Sequence, residues 1–325
     1  MADAPPPCSS RSGRFYPLLF AKGMAVGAAD LVPGVSGGTI AFISGIYEEL
    51  IDTIRNLRPQ LLVVGYREGF GAMWREANAT FLATLLLGVL CSIFSLARLI
   101  AWVLEEHPIL IWSFFFGLIV GSIVFIARRY TRFDWPEKLA LAMGTVLGFI
   151  IVFSPPLQMH YSAPVVFFSG ALAACAMILP GISGTFILML LGMYRTILDG
   201  VVSGDVVLLA TFASGAVAGL LVFSRLLSWL LHHYHDLTMT TMTGFLIGSL
   251  ALIWPWKLPL EVIYDEQGRE TVLSFENLLP WQYEQIMGLG AHTMAAAFCM
   301  ALGLVLVLGL ESVGNRGRTS LVAQR

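Results

Sequence analysis

The sequence predicts an all-α integral membrane protein made of two copies of one unit, each opening with a broken helical hairpin. The chain of 325 residues is 57% hydrophobic and only 12% charged, about half the charged fraction of a typical soluble domain. Its apolar residues fall into long runs, which is the pattern of membrane-spanning helices. Two of these runs contain a Pro-Gly-x-Ser-Gly motif, and the two copies are related in sequence.

Six segments are long and apolar enough to cross a bilayer, which takes about 20 residues. The third is short, so it can begin earlier, near Pro136. We interpret residues 1–14, which are rich in Pro and Ser and contain no cleavable signal, as a disordered tail, and residues 311–325 as a second tail. The predicted spans are roughly Ala79–Leu104, Ile109–Ala127, Leu139–Phe153, Val206–Leu231, Thr238–Trp256 and Gly288–Leu310.

Two further apolar regions, Phe15–Ile54 and Ala163–Val202, are broken in the middle by Pro33-Gly34 and Pro180-Gly181. Proline removes a backbone donor and glycine relaxes the chain, so a continuous helix is disfavoured there. Each flank has about 17 residues and would be about 26 Å long as a helix, which is marginal for a crossing. We interpret each region as a re-entrant hairpin that reaches the midplane, with two complete spans as the alternative.

The two broken regions align without a gap when one is shifted by 147 residues. An internal duplication accounts for so many identities at one offset. Each repeat is then a hairpin followed by three crossings, over residues 15–153 and 163–310. The shift places Gly23 on Gly170, Pro33 on Pro180, Gly34 on Gly181, Ser36 on Ser183, Gly37 on Gly184, Ile40 on Ile187, Gly45 on Gly192, Tyr47 on Tyr194 and Asp52 on Asp199.

The distribution of charge predicts the orientation. Three crossings separate the hairpins, so the hairpins enter from opposite faces and the repeat is inverted. One face has few basic residues beside the Glu105-Glu106 turn and the acidic Glu261–Glu284 loop. The positive-inside rule assigns the other face, with both termini, to the cytoplasm. That face holds Arg11, Arg14, Arg55, Arg58, Arg67, Arg75, Arg128, Arg129, Arg132, Lys138, Arg316, Arg318 and Arg325.

Each break predicts a helix N-terminus inside the protein, where free backbone N–H groups attract an anion such as phosphate. Small residues leave these amides accessible, and hydroxyl groups add donors. Two opposed termini would form one central phosphate site that is reachable from either side. The alternative is that Pro and Gly only turn the hairpin and Ser only caps a helix. The candidate residues are Gly34, Ser36, Gly37, Gly38 and Thr39 in the first copy, and Gly181, Ser183, Gly184 and Thr185 in the second.

Four ionisable residues lie near the breaks, at Lys22, Asp30, Glu48 and Arg195. Each would cost roughly 2.5–3.5 kcal/mol at the centre of a bilayer, so a function is expected of them. Lys22 and Arg195 are candidates to offset the phosphate charge. Asp30 and Glu48 are candidates for coupling to a proton or sodium ion. Structural ion pairs at a hairpin mouth are the alternative.

No cofactor, metal or nucleic-acid partner is predicted. The four cysteines are scattered and show no metal-binding spacing. The run His232-His233-Tyr234-His235-Asp236 directly follows a span, so we interpret it as an interfacial cluster. The expected partners are the bilayer and a phosphate-bearing ligand, and a homo-oligomer is left open.

The stretches from Ala29 to Thr39 and from Ile178 to Thr185 resemble the paired motifs of the bacterial polyprenyl-phosphate transporters. The resemblance extends from about Phe15 to Leu310. It implies translocation of undecaprenyl phosphate, the lipid carrier of surface glycan assembly, back to the cytoplasmic leaflet of the inner membrane. A monophosphate head group would need an anion site, while its polyprenyl tail could stay in lipid.

Two rival functions remain open. Intramembrane polyprenyl-pyrophosphate phosphatases also have inverted repeats, with a Pro-Gly-x-Ser-Arg-Ser motif. Here Gly37 and Gly184 stand at the arginine position, and Asp30 is the sole carboxylate in the apolar stretch before Pro33. Phosphoryl transfer needs a cation and a base or nucleophile, so catalysis is not expected. The third function is transport of a small soluble anion.

Overall fold

The structure is a computed structural model that describes residues 15–32, 35–129, 134–157, 159–264 and 270–322. The predicted N-terminal tail and the Pro33-Gly34 pair lie outside the described residues. The helices are α1 (Phe15–Asp30), α2 (Gly37–Ile43), α3 (Tyr47–Asn56), α4 (Gln60–Glu68), α5 (Phe70–Glu76), α6 (Ala79–Glu106), α7 (Pro108–Arg129), α8 (Trp135–Phe153), α9 (Ala163–Ile178), α10 (Gly184–Leu190), α11 (Tyr194–Ser203), α12 (Val206–His233), α13 (His235–Ser249), α14 (Pro280–Met287) and α15 (Thr293–Val322), and the strands are β1 (Lys257–Tyr264) and β2 (Glu270–Asn277).

The prediction of a multi-pass helical membrane protein is confirmed. Five helices in the described part of the chain are long and apolar enough to cross a membrane. They are α6, α7, α8, α12, and α13 continued by a 3₁₀ turn to Ile253. The sixth predicted segment coincides with α15, whose apolar part, Thr293–Gly309, is shorter.

The all-α prediction missed one β-hairpin. The strands β1 and β2 pair antiparallel from Lys257 opposite Asn277 to Tyr264 opposite Glu270. They lie largely in the acidic segment Glu261–Glu284, which is predicted to be a loop. The segment contains Val, Ile and Thr, which favour extended backbone. Its charged residues are typical of a loop, so the preference for extended backbone was not recognised.

The chain divides into two compact units. The first comprises residues 1–100 and 158–239, and the second comprises residues 101–157 and 240–325. In the first unit, α1 packs on α6 through glycines, and α9 packs along α12. In the second unit, α7 packs along α15, and α8 contacts α13 through glycines.

The contact between α1 and α6 depends on two glycines. A methyl group added at Gly23 would overlap the carbonyl oxygen of Leu85, and one at Gly88 would overlap the carbonyl oxygen of Phe20. The two backbones therefore approach too closely for any side chain to lie between them. This is the small-residue packing by which helices associate in membranes, where van der Waals contact replaces the hydrophobic effect.

The same contact recurs between α9 and α12. A methyl group at Gly170 would overlap the carbonyl oxygen of Phe212, and one at Gly215 would overlap that of Phe167. Gly170 and Phe167 lie 147 residues after Gly23 and Phe20, and Gly215 and Phe212 lie 127 residues after Gly88 and Leu85. The smaller second offset reflects the α4–α5 segment, which only the first half contains.

The second unit contains an equivalent pair of contacts. Added methyl groups on α7 and α15 would overlap each other's backbone, and those on α8 and α13 would do the same. The offset is 127 residues from α7 to α13 and 159 residues from α8 to α15. Each half thus contributes one helix to each pair. The overlaps are Gly117 with Met300, Gly303 with Phe114, Gly244 with Leu141, and Gly144 with Thr241.

Candidate functional site

Both sequence motifs interrupt a helix. The helix α1 ends at Asp30 and α2 begins at Gly37, while α9 ends at Ile178 and α10 begins at Gly184. A serine precedes each new helix, and both serines have the extended backbone of an N-cap, with φ and ψ of −114° and 129° at Ser36 and −93° and 132° at Ser183. Gly34 is not among the described residues.

The two breaks touch each other. The Ser36 hydroxyl donates a hydrogen bond to the carbonyl oxygen of Met177 at 3.3 Å. The Gly181 amide donates to the Thr39 hydroxyl at 2.9 Å. A methyl group at Gly38 would lie 2.7 Å from the Met177 carbonyl oxygen. Residues from the two predicted repeats are therefore hydrogen-bonded to each other where the breaks meet.

The chain itself satisfies the first amides of α2. The Gly37 N–H donates to a carboxylate oxygen of Asp30 at 2.6 Å, and the Gly38 N–H donates to the Ser36 hydroxyl at 3.1 Å. The Thr39 N–H bonds the Ser36 carbonyl oxygen at 2.9 Å. A carboxylate at a helix N-terminus stands where a bound anion would stand. Asp30 is an exposed residue, so an incoming anion could compete for this position.

The second break differs from the first in its hydrogen bonds. Ser183 is only 6% exposed, and its hydroxyl makes no hydrogen bond within the described part of the chain. Gly184 lies against α9, since an added methyl group would be 2.7 Å from the Ala173 carbonyl oxygen. Thr185 is exposed. The Ser183 hydroxyl is thus a buried donor at the second break that the described residues leave without a partner.

The turn after each short helix is also duplicated. Gly45 and Gly192 have positive φ values of 71° and 69°, which side chains disfavour. In each copy the third turn residue, Ile46 or Met193, donates its N–H to the carbonyl oxygen five residues earlier. The axes of α10 and α11 differ by 108°, so the second hairpin turns back sharply.

Neither basic candidate contacts the breaks. The Lys22 ammonium donates to the Ser44 carbonyl oxygen at 2.6 Å, at the far end of α2 from Ser36. Because α2 has seven residues, about 10 Å of helix separates the two positions. Arg195 is exposed near the start of α11 and forms no ion pair with any described residue.

Glu48 and Asp52 lie on α3, outside the breaks. Glu48 pairs with His235, with a distance of 3.2 Å between its oxygen and Nε2. Asp52 accepts a hydrogen bond from the Ser228 hydroxyl at 2.5 Å, and one of its oxygens is 3.7 Å from His232 Nε2. This contact between α3 and α12 is not predicted from the sequence. The duplication of Asp52 as Asp199 was the one signal that pointed to it.

No group of three or more His, Cys, Asp or Glu side chains in the described part of the chain could hold a metal ion. Among the described residues, the polar groups at the breaks are backbone amides, two serine hydroxyls, two threonine hydroxyls and one carboxylate. This set suits binding a phosphate and includes no cation at the breaks to assist its transfer.

A family model described as undecaprenyl phosphate translocase-like matches residues 26–271. The chain belongs to this family. The translocase-like chain is 44% identical to a polyprenyl-phosphate transporter of Vibrio cholerae over 93% of its length and 98% of that relative. It is 31% identical to a polyprenyl-phosphate transporter of Staphylococcus aureus over 74% of its length and 87% of that relative. No solved structure matches it.

These comparisons confirm the resemblance drawn from the two motifs. Both relatives are named transporters and not phosphatases. The expectation of a transporter family, rather than a family of enzymes, is therefore confirmed.

Proposed function

We propose that this protein moves polyprenyl phosphate from the outer to the cytoplasmic leaflet of the bacterial inner membrane. The observation that supports it most is the meeting of the two breaks, where Ser36 bonds Met177 and Thr39 accepts from Gly181. A site built from both repeats can open to either side while keeping the same ligands. The names of the two relatives agree with this substrate.

An inverted repeat would supply the alternating access. The glycine contacts of α1 with α6 recur between α9 and α12, and those of α7 with α15 recur between α13 and α8. Two halves with the same packing, separated by an odd number of crossings, have opposite orientations in the membrane. Charge sidedness then assigns both termini to the cytoplasm. The hairpins would be re-entrant, and the 108° bend between α10 and α11 supports that.

The phosphate would bind between the two breaks. Ser183 would contribute its unpaired hydroxyl and Ser36 its hydroxyl after release from Met177. Lys22 is tied to Ser44, so it would contribute charge rather than contact, and Arg195 would approach when α10 and α11 move. The proposed phosphate site comprises Gly34, Ser36, Gly37, Gly38, Thr39, Gly181, Ser183, Gly184, Thr185, Lys22 and Arg195.

Asp30 would couple proton binding to phosphate binding. Its carboxylate now accepts the Gly37 N–H, so phosphate and carboxylate would compete for the same amide. Protonation of Asp30 removes the negative charge and favours the incoming phosphate. Glu48, which pairs with His235, is the second coupling candidate and would act at the mouth of the first hairpin. Sodium is the alternative coupling ion.

Reconstitution in liposomes tests the function. The protein is placed in vesicles that contain undecaprenyl phosphate with a fluorescent label, and a membrane-impermeant quencher reports the fraction in the outer leaflet. In vesicles with protein, the labelled lipid of the inner leaflet, which the quencher cannot reach, should move rapidly to the outer leaflet and be quenched. In vesicles without protein it should stay protected.

Two outcomes would contradict the proposal and support another function. Absence of flipping together with hydrolysis of undecaprenyl pyrophosphate would indicate the phosphatase. Uptake of radiolabelled phosphate or sulfate into vesicles that contain no polyprenyl lipid would indicate a soluble-anion transporter.

A further inference from the structure

A basic cavity of about 690 Å³ lies in the first unit, away from the two breaks. It is bounded by the end of α3, the turn into α4 and the last turns of α12. The arginine count assigns this face to the cytoplasm. The side chains that define its character are Arg55, Arg58, Arg225, Trp229, His232 and His233.

The positive charge of this cavity is only partly neutralised. Arg55 donates to the Ser228 hydroxyl at 2.9 Å and lies 3.9 Å from Asp52. Arg58 and Arg225 form no ion pair with any described residue. Arg55 is thus the one of the three arginines that forms an ion pair within the described part of the chain. An arginine without a partner retains its planar set of donors, which matches the oxygens of a phosphate.

The rim of the cavity is apolar and aromatic. Trp229 is 48% exposed and stacks on His233, with 5.0 Å between ring centroids. An exposed tryptophan beside arginines is typical of the level of lipid head groups. The cavity is thus lined by both charged and aromatic side chains.

The segment that follows the cavity also has the composition of a membrane interface. Gln60, the first residue of α4, lines the cavity. Leu62, Tyr66 and Phe70 on α4 and α5 are 73%, 93% and 67% exposed. Helices with large exposed apolar side chains and basic residues lie in the plane of the bilayer surface. Their position next to the cavity makes a membrane lipid the natural source of its ligand.

We propose that this cavity binds the phosphate head group of an anionic lipid in the cytoplasmic leaflet. Two arginines favour a terminal phosphomonoester, because it has more negative charge and one more free oxygen than a phosphodiester. Trp229 would lie beside the glycerol region of the bound lipid. The site differs from the one between the breaks in its helices and in its chemistry, since guanidinium groups replace amides and hydroxyls.

Equilibrium binding tests the proposal without reference to transport. Dioleoyl phosphatidic acid is titrated into the full-length protein in detergent micelles, and bound lipid is counted by native mass spectrometry. The wild-type protein should bind phosphatidic acid in preference to phosphatidylcholine. The double variant Arg58→Gln with Arg225→Gln should bind it about tenfold more weakly, given the usual strength of charge-assisted hydrogen bonds.

Matched variants identify the cause of any loss. Arg128→Gln makes the same charge change at an exposed position on α7 that does not line the cavity, and should retain wild-type affinity within about twofold. Arg58→Lys with Arg225→Lys should have intermediate affinity, and it replaces the glutamine pair if that variant does not fold.

Three results would overturn the inference. The first is equal affinity of the wild-type protein for phosphatidic acid and phosphatidylcholine. The second is unchanged affinity in the arginine pair variants. The third is displacement of the lipid by an equal concentration of inorganic phosphate, which would assign the cavity to a free anion.

Discussion

At the scale of residues, Ser36 and Ser183 occupy matching positions but have different hydrogen bonds. Ser36 caps α2 and bonds Met177, so its hydroxyl contributes to the fold. Ser183 begins α10 without a side-chain cap. Ser36 therefore joins the two breaks, whereas the Ser183 hydroxyl makes no hydrogen bond with any described residue.

We expect Ser183→Ala to reduce transport about tenfold while leaving thermal stability unchanged, since the lost hydroxyl has no partner among the described residues. Ser36→Ala should lower both, because an N-cap contributes about 1 kcal/mol. Flipping in proteoliposomes and the melting temperature in detergent measure the two effects. Ser203→Ala on α11, whose hydroxyl bonds only its own helix, serves as the control. Full transport by Ser183→Ala would remove this serine from the site.

The hydrogen bond from the Gly37 N–H to Asp30 places a carboxylate at the proposed phosphate site. Asp30→Asn keeps the hydrogen-bond acceptor and removes the charge. We expect this variant to bind polyprenyl phosphate more tightly and to lose its response to an imposed proton gradient. Transport is measured in proteoliposomes with the inner and outer pH set independently. A response equal to that of the wild-type protein would exclude Asp30 as the coupling residue.

The residues of the site were partly predictable. A serine after Pro-Gly in apolar sequence indicates a helix N-terminus, and both serines hold that position. The bond from Ser36 to Met177 joins residues 141 positions apart, and no local pattern encodes such a distance. The pairing of Asp30 with Gly37 was also missed, because it depends on the path of the chain through the break.

At the scale of elements, each short helix that follows a break ends in a glycine turn. Gly45 and Gly192 reverse the chain at a positive φ, and buried side chains then hold α10 and α11 against α9 and α12. The sequence predicted the break, whereas the bend of 108° between α10 and α11 follows from packing. The members of that buried cluster are Val166, Ala173, Leu188, Leu191, Met193, Ile197 and Leu208.

The β-hairpin contains a lysine whose environment predicts a pH effect. The Lys257 ammonium lies 3.8 Å from the centre of the Trp112 ring and donates to the Leu252 carbonyl oxygen at 2.5 Å. Burial away from water lowers the pKa of Lys257 from 10.5 to about 7. Between these two values the unfolded chain binds a proton that the folded chain does not. Stability therefore rises with pH across this window and falls as the pH drops towards 7.

We expect Lys257→Met to abolish this rise in stability between pH 7 and about 10. Thermal unfolding in detergent at a series of pH values measures it. Lys138→Met removes an exposed lysine, which lies 5.5 Å from the Trp135 ring, and should leave the pH profile unchanged. A wild-type profile that is flat or falls with pH over this window would contradict the assignment.

At the scale of the whole molecule, the proposed inverted repeat predicts opposite accessibility of equivalent positions. Asn56 ends α3 and Ser203 ends α11, 147 residues later, and both side chains are exposed. In a variant without native cysteines, Asn56→Cys should react with an impermeant maleimide only from the cytoplasmic side. Ser203→Cys should react only from the outer side. Labelling of both from one side would contradict the inverted repeat.

By itself the sequence determined the membrane class, the position of both breaks and the family. These depend on apolar run length, on the local effects of Pro and Gly, and on a motif of a few residues, all of which are readable along the chain. Only the tertiary structure decided that the breaks touch and that the Asp30 carboxylate accepts the Gly37 N–H. It also decided that Lys22 lies at the far end of α2 and that arginines of α3, of the turn before α4 and of α12 line one cavity. The physical reason is that these contacts join residues far apart in the chain, and helix packing rather than local preference brings them within hydrogen-bonding distance.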